Sequence, residues 1–410
     1  MANMKWTQEQ QAAIEIRNAD TLVSAAAGSG KTAVLVERVI RMVTDSDHPV
    51  DVDRLLVVTF TNAAARQMKQ KIGAALVREI EAHPEDARPR RQLTLLGNAG
   101  IDTMHALCKR LIQQNFQKTN LPYDFRIADE VEAKMLRQDA VEEAFGALYE
   151  SCGDRMELLA EWYGGRDDTP LTDLVLQLYE FARSIPFYRE WLEQKAQMPG
   201  DSILDTVWGR YLKSYAIDQL EQALQMIDHA AARLAGLDEG QGLENLSITF
   251  AQDRELISDL LSKTKALGWD DLFQLFSACR FAPIKRVKKG GNTDLGEEFK
   301  KTRQYVKDIV GVIAHQIFFQ PEYACLEDVK KAGEQLQFLI AIVLQFEDVY
   351  AEKKRQKSVV DFGDLEHFSI SVLCQRDEDG TVHPSPEALQ LQQQYYEVLI
   401  DEYQDTNDVQ

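Results

Sequence analysis

The sequence predicts an α/β protein in which a parallel sheet is interrupted by a large, all-helical insertion. Three observations predict it. Residues 1–115 alternate short apolar runs with helical patterns, the order a parallel sheet with crossover helices requires. From about Phe116 to Lys357 long amphipathic helical patterns take over and strand-like alternation is scarce. After Ser358 a strand pattern returns as Tyr395-Tyr-Glu-Val-Leu-Ile400.

Taken in order, Thr21-Leu-Val-Ser-Ala25 reads as a buried strand and Lys31 to Val43 as the helix that follows it. Leu55-Leu-Val-Val-Thr59 is a second strand, succeeded by a helix from about Asn62 to Ala82. A loop rich in proline and charge, His83 to Arg91, then breaks the pattern. In the helical region one helix is expected to start at the N-cap Asp129. It would place Val131, Met135, Val141, Phe145 and Leu148 along one broad face. Two basic stretches, 285–293 and Lys353-Lys-Arg-Gln-Lys357, read either as solvated surface or as contacts to nucleic-acid phosphates.

Composition excludes several classes. The longest apolar run falls far short of the roughly 20 residues that span a bilayer, and Met1–Glu15 lacks the apolar core of a secretory signal. The chain therefore reads as cytoplasmic. Its cysteines (Cys108, Cys152, Cys279, Cys325, Cys374) are scattered singly, so neither a disulfide framework nor a zinc site is expected. The net charge of −20 argues against a nucleic-acid partner, but it is unevenly spread. Residues 1–110 carry 15 Lys+Arg against 13 Asp+Glu, and the remaining 300 carry 31 against 53. An acidic total leaves room for a local basic groove, because only the charges facing a strand matter.

Ala25-Ala26-Ala27-Gly28-Ser29-Gly30-Lys31-Thr32 sits between a predicted strand and a predicted helix. Small residues there let the backbone wrap around phosphates, and the amides of the helix start point at the anion. Lys31 would reach the β- and γ-phosphates of a nucleoside triphosphate and the Thr32 hydroxyl would ligate Mg²⁺. The first position is Ala where the bare pattern has Gly. At the other end of the chain, Leu399-Ile-Asp-Glu402 is an apolar strand closing on paired carboxylates. Alone such a pair is a solvated strand end. Beside a phosphate cradle it becomes the second half of an ATP site, with Asp401 on Mg²⁺ and Glu402 as the base that orients and deprotonates water.

Asp401-Glu-Tyr-Gln-Asp-Thr-Asn407 resembles motif II of superfamily 1A DNA helicases, the UvrD, Rep and RecB group. Other motifs of that group follow the expected order. Trp6-Thr-Gln-Glu-Gln10-Gln-Ala-Ala-Ile14 resembles the Q motif, and Thr59-Phe-Thr-Asn-Ala-Ala-Ala-Arg-Gln-Met68 resembles motif Ia. Thr103-Met-His105-Ala-Leu-Cys108 resembles the next DNA-contacting motif, and Asp361-Phe-Gly-Asp-Leu365 the element leading back into the motor domain. Two stretches, Asp124-Phe-Arg-Ile-Ala-Asp-Glu130 and Asp361-Phe-Gly-Asp-Leu-Glu-His367, are similar to AddA, the larger component of the AddAB-type helicase–nuclease.

The resemblance implies a RecA-like P-loop motor domain 1A built from 1–115 and 358–410, with a helical domain 1B at 116–357. It implies ATP and Mg²⁺ as cofactors, single-stranded DNA and a duplex end as substrates, an AddB-like partner protein, and 3′-to-5′ translocation in double-strand-break processing. Gln10 would read the adenine edge, Arg38 would lie near the nucleotide, and Gln404 would sense the γ-phosphate. Phe60, Thr61 and Asn62 would lie along the strand, with Thr103 and His105 touching its backbone or bases. By residue type alone, Phe60 reads as core and His105 as a structural histidine; only their motifs say otherwise. The chain stops three residues after Asn407, before the later helicase motifs and any nuclease domain, so it reads as a truncation. Weak Mg·ATP binding, negligible hydrolysis and no unwinding are then expected of it. A single-chain repair helicase of the UvrD or PcrA kind and a non-motor nucleotide- or DNA-binding remnant are the alternatives.

Overall fold

The computed structural model describes residues 6–26, 28–163, 167–196, 200–237, 243–284, 292–377 and 379–410. The chain opens with helix α1 (Gln8–Glu15) and helix α2 (Lys31–Thr44). Strand β1 (Leu55–Thr59), helix α3 (Asn62–Ala82), helix α4 (Arg88–Leu95), strand β2 (Gly100–Thr103) and helix α5 (Met104–Gln114) follow. After the short α6 (Phe116–Thr119) and β3 (Arg126–Ile127) come α7 (Glu130–Tyr163), α8 (Thr169–Arg183) and α9 (Tyr188–Lys195). The long helical stretch continues as α10 (Val207–Ala235), α11 (Glu244–Ala266), α12 (Trp269–Ala278), α13 (Thr293–Val312) and α14 (Glu322–Gln356). The chain closes with β4 (Val359–Val360), α15 (Phe362–Leu373), the hairpin β5 (Cys374–Arg376) and β6 (Val382–Pro384), α16 (Pro386–Gln394) and β7 (Glu397–Ile400). Among the described residues no helix is long and apolar enough to cross a membrane.

Two compact units result, one of residues 1–192 with 341–410 and one of residues 193–340. In the first, β2, β1 and β7 form a parallel sheet with β1 at its centre. All five residues of β1 are buried, which is why its sequence is continuously apolar. Val39, Met42 and Val43 of α2 and Met68, Ile72 and Leu76 of α3 pack with Val57 and Ile101 of the sheet. At Gly100 a side chain would meet the Tyr395 ring at 3.2 Å and Leu56 at 3.3 Å, so β2 enters the sheet through a residue without one. Strand β3 pairs in parallel with β4, Arg126 opposite Val359. That ladder sets Asp124–Glu130 beside the start of Asp361–His367, two stretches more than 200 residues apart in sequence.

The second unit is helical. Ala216, Leu220, Ala223 and Ile227 form one buried stripe of α10 at helical spacing, packed with α11 and α13. Its core holds the edge-on pair Phe250–Phe299 and the stack of Phe276 on Phe318, which also meets Trp269 edge-on. A buried ion pair, Arg303 to Asp253 at 2.5 Å, crosses between α13 and α11.

Several expectations need correction. Thr21–Ala25 is not a strand: it pairs with nothing in the sheet and lies exposed, Leu22 by 78%. Apolar character proposes a strand, but only a ladder partner makes one. The expected loop at His83–Arg91 ends early, because Pro89 is accommodated in the first turn of α4. Asp129 does cap α7, accepting from Glu132 N at 2.8 Å, yet Val131 and Met135 are exposed. The buried stripe runs instead through Leu136, Ala140, Val141, Ala144 and Phe145.

Candidate functional site

Helix α2 starts without a side-chain cap, so the unbonded N–H groups of its first turn face the loop before it. That loop is shaped by Gly28 (φ +78°) and Gly30 (φ +89°), both in the left-handed region that disfavours any other residue. A side chain at Gly28 would meet nothing within 4 Å, so the backbone angle and not crowding demands glycine there. Lys31 folds back over the loop, its Nζ donating to the Ala25 carbonyl at 3.0 Å. Ala26, Ser29 and Thr32 share the junction, with Ser29 N donating to Ala26 O at 3.3 Å. Ala27 lies outside the described residues.

Gln10 is pinned to this loop. Its Oε1 accepts from Thr7 N at 2.9 Å, closing a capping box on α1, and its Nε2 donates to the Ser29 carbonyl at 3.0 Å. The amide expected to read a base edge therefore has both ends engaged by protein. Arg38 is likewise engaged. It is buried, donates from Nε to Glu397 at 2.6 Å and from Nη1 to the Ala13 carbonyl at 2.8 Å, and so ties α1 and α2 to β7.

The acidic pair stands at the C-terminal end of β7. Asp401 N donates to the Val58 carbonyl at 2.9 Å, which carries the β1–β7 ladder one residue past Ile400. Burial first, and then the Glu402 charge, push the Asp401 carboxyl above its usual range, while Lys31 and Lys71 pull it back. Lys31 thus stands close enough to act on Asp401, and Lys71 of α3 is a second cation there that the motifs did not flag. Glu402 is exposed and sits at φ +56°, a left-handed position costing about 1 kcal/mol for a residue with a side chain. Gln404, expected at the γ-phosphate, donates from Nε2 to the Glu402 carboxylate.

The other predicted residues emerge from the same sheet end. Thr59 and Thr103 are register partners across β1 and β2, so the segments following them leave side by side. Phe60 is 62% exposed, which settles against the core placement its residue type suggests. Thr61 and Thr103 are the N-caps of α3 and α5, accepting from Ala64 N at 3.0 Å and Ala106 N at 3.2 Å. Asn62 opens α3 and is exposed; Thr103 is buried. His105 lies 3.1 Å from Glu366 and against the ring of Phe362, centroids 4.7 Å apart at 50°. Phe362 is half-exposed beside it. Neither Phe362 nor Glu366 stands out from sequence as a site residue, although both fall inside Asp361–His367.

Helix α15, which carries them, is anchored by charge. Asp361 and Asp364 form its capping box, and Lys354 donates to them at 3.0 and 2.5 Å. Arg183 donates to Asp364 at 2.9 Å. Burial would raise the Asp361 carboxyl, but Lys354 and then Arg183 outweigh it and hold it at about 2. The basic cluster at 353–357 is accordingly no free row of phosphate contacts. Lys354 is buried, Lys353 pairs with Glu143 at 2.7 Å, and Arg355 pairs with Glu352. In the other basic stretch, residues 285–291 lie outside the described residues.

The sequence profile described as the UvrD/REP helicase N-terminal domain matches residues 6–410. An Acetivibrio thermocellus protein, named as the A component of an ATP-dependent helicase/nuclease, is 41% identical across 99% of this chain. Proteins of the same name from Ruminiclostridium cellulolyticum and Clostridioides difficile are 38% and 35% identical, each across 100% of it. In all three cases the chain spans 33% of the relative's length.

Proposed function

The chain belongs to the UvrD/REP helicase family through its N-terminal domain, and from that premise we propose that it is the ATP-binding, strand-tracking part of an AddA-type helicase–nuclease. It works in double-strand-break repair and recombination, where ATP hydrolysis drives 3′-to-5′ movement on single-stranded DNA from a duplex end. A second, AddB-like protein is its partner, and the cytoplasm its compartment. Its architecture is a RecA-like domain 1A of residues 1–115 and 358–410 holding a helical domain 1B of residues 116–357.

One observation carries this reading. The end of a single parallel sheet gathers the phosphate-type loop with Lys31, the paired carboxylates Asp401 and Glu402, the exposed Phe60 and the half-exposed His105 and Phe362. Substrates of α/β sheets bind at the carboxyl ends of the strands, where helix N-termini also point. Two chemistries thus share one end: an anion cradle beside β7 and an aromatic platform beside β1 and β2.

The residues fit a nucleoside triphosphate with Mg²⁺. The uncapped first turn of α2 supplies N–H donors, and the Thr32 hydroxyl and Asp401 carboxylate are the hard oxygen ligands that ion prefers. An Asp401 carboxyl raised by burial is relieved by a nearby cation. Bound there, Mg²⁺ offsets the charge of the phosphates. Lys31 leaves the Ala25 carbonyl to meet them, and Gln10 leaves the Ser29 carbonyl to meet the base. Glu402, exposed and unburdened by metal, holds and deprotonates water, with Gln404 steadying it. Phe60 and Phe362 stack bases of the strand, and Thr61, Asn62, Thr103 and His105 contact its backbone. Arg38 supports the cradle from behind by fixing α2 to β7.

Titration of the 410-residue chain with a fluorescent ATP analogue in Mg²⁺, and separately with labelled oligo-dT, tests the proposal. Saturable binding of both supports it; binding of neither sinks it.

A further inference from the structure

Glu366 belongs to neither the cradle nor the exposed platform, yet it touches elements of both. It is buried, and a single oxygen, Oε1, takes two contacts: His105 Nε2 at 3.1 Å and Gln410 Nε2 at 2.6 Å. His105 lies on α5, just beyond β2, and Gln410 follows the acidic pair of β7. Burial works to raise the Glu366 carboxyl, but the bonds from His105 and Gln410 prevail and keep it below the usual range. Glu366 is therefore an anion at neutral pH, and a carboxylate can only accept. The proton of that bond must sit on His105 Nε2. The Phe362 ring, 4.7 Å away, packs against the same imidazole and limits its rotation.

We propose that Glu366 is a positioning residue for strand binding: it locks the His105 imidazole in one tautomer and one orientation, and joins that histidine to the segment after the acidic pair. The locked ring presents Nδ1 to the strand, as an acceptor when neutral and a donor to phosphate when protonated. This rests on the strand-binding reading of Phe60, His105 and Phe362 above. A merely structural Glu366 would stabilise α15 against α5 without governing the ring.

The test combines ¹⁵N-detected NMR of the His105 ring with oligo-dT affinity, in the 410-residue chain and in E366A, E366Q, H105A and the E366A/H105A double variant. The wild-type ring should show the Nε2–H tautomer, and E366A a mixture of tautomers. Oligo-dT affinity should fall in E366A by about as much as in H105A, roughly five- to tenfold for one lost hydrogen bond. The double variant should bind no more weakly than H105A, because Glu366 acts through the histidine. E366Q, whose amide oxygen still accepts, should stay within about twofold of wild type and guards against misfolding of E366A. An unchanged tautomer in E366A, or losses that multiply in the double variant, overturns the proposal. If H105A weakens binding and E366A does not, this proposal alone falls. If H105A binds as wild type does, the strand reading falls and takes the role of Glu366 with it.

Discussion

Arg38 and Glu397 meet at 2.6 Å although 359 positions separate them in the chain, and their contact fastens the helix after the phosphate-type loop to the strand that ends in the acidic pair. Both halves of the proposed ATP site are thereby held to one frame. The guanidinium also takes the Ala13 carbonyl, so α1 and its Gln10 are drawn into the same frame.

Replacing Arg38 with Ala should therefore cost stability before it costs chemistry. Leaving Glu397 without its partner is expected to lower unfolding free energy by about 2 kcal/mol, read by urea denaturation. Affinity for an ATP analogue should fall less than in a Lys31→Ala variant. Unchanged stability with lost nucleotide affinity would return Arg38 to direct contact with the nucleotide.

Lys354→Ala should be among the most damaging substitutions in the first unit. It strands the buried carboxylates Asp361 and Asp364 with only Arg183 opposite, a loss of about 3–5 kcal/mol for a broken buried pair. The salt dependence of oligo-dT binding in whatever protein remains folded should match wild type, since a buried lysine releases no counterion. A flatter slope would put Lys354 on the DNA.

Glu347 offers a pH signature. Its carboxylate sits 2.9 Å from Arg189 but off the axis of a hydrogen bond, and burial pushes its carboxyl up to about 7 in spite of Arg183. A carboxyl raised in the folded state contributes stability that is full below its ordinary value of 4.5 and lost as pH rises through 7. Glu347→Gln should accordingly raise the melting temperature relative to wild type more at pH 8 than at pH 5. Equal differences at the two pH values would show that Glu347 keeps its charge throughout.

The platform is tested by truncation. Phe60→Ala and Phe362→Ala should each weaken oligo-dT binding by about 1–3 kcal/mol, the range for a lost base–aromatic stack, and leave the melting temperature nearly unchanged because both rings are solvent-exposed. A large drop in melting temperature with intact DNA affinity would make them packing residues.

What can be read from sequence follows locality. Leu55–Thr59 and Asn62–Ala82 fall at their predicted bounds, because a continuous apolar run and a threonine cap at Thr61 are written in neighbouring residues. Strand β2 is not legible in the same way: Gly100-Ile-Asp-Thr103 has one large apolar side chain, and its strand state comes from the register with Leu56–Thr59 some 44 residues earlier. The same dependence on a distant partner works in the other direction at Thr21–Ala25, which has the apolar run and lacks the ladder. Lys353–Lys357 resembles solvated surface because nothing beside Lys354 reveals that Arg183 and two aspartates converge on it. The nucleotide and strand residues are legible through motif spacing. Their present partners are not: Ser29 for Gln10, Glu397 for Arg38 and Glu366 for His105 are all contacts of the folded chain.

The most direct test of one sheet end serving two ligands is a paired titration of wild type, Lys31→Ala and Phe60→Ala with a fluorescent ATP analogue in Mg²⁺ and with labelled oligo-dT. Lys31→Ala should lose at least tenfold in nucleotide affinity, an electrostatic contact worth about 1.4 kcal/mol or more, and keep its DNA affinity. Phe60→Ala should show the reverse. Nucleotide affinity unchanged by Lys31→Ala, or DNA affinity unchanged by Phe60→Ala, would contradict the account.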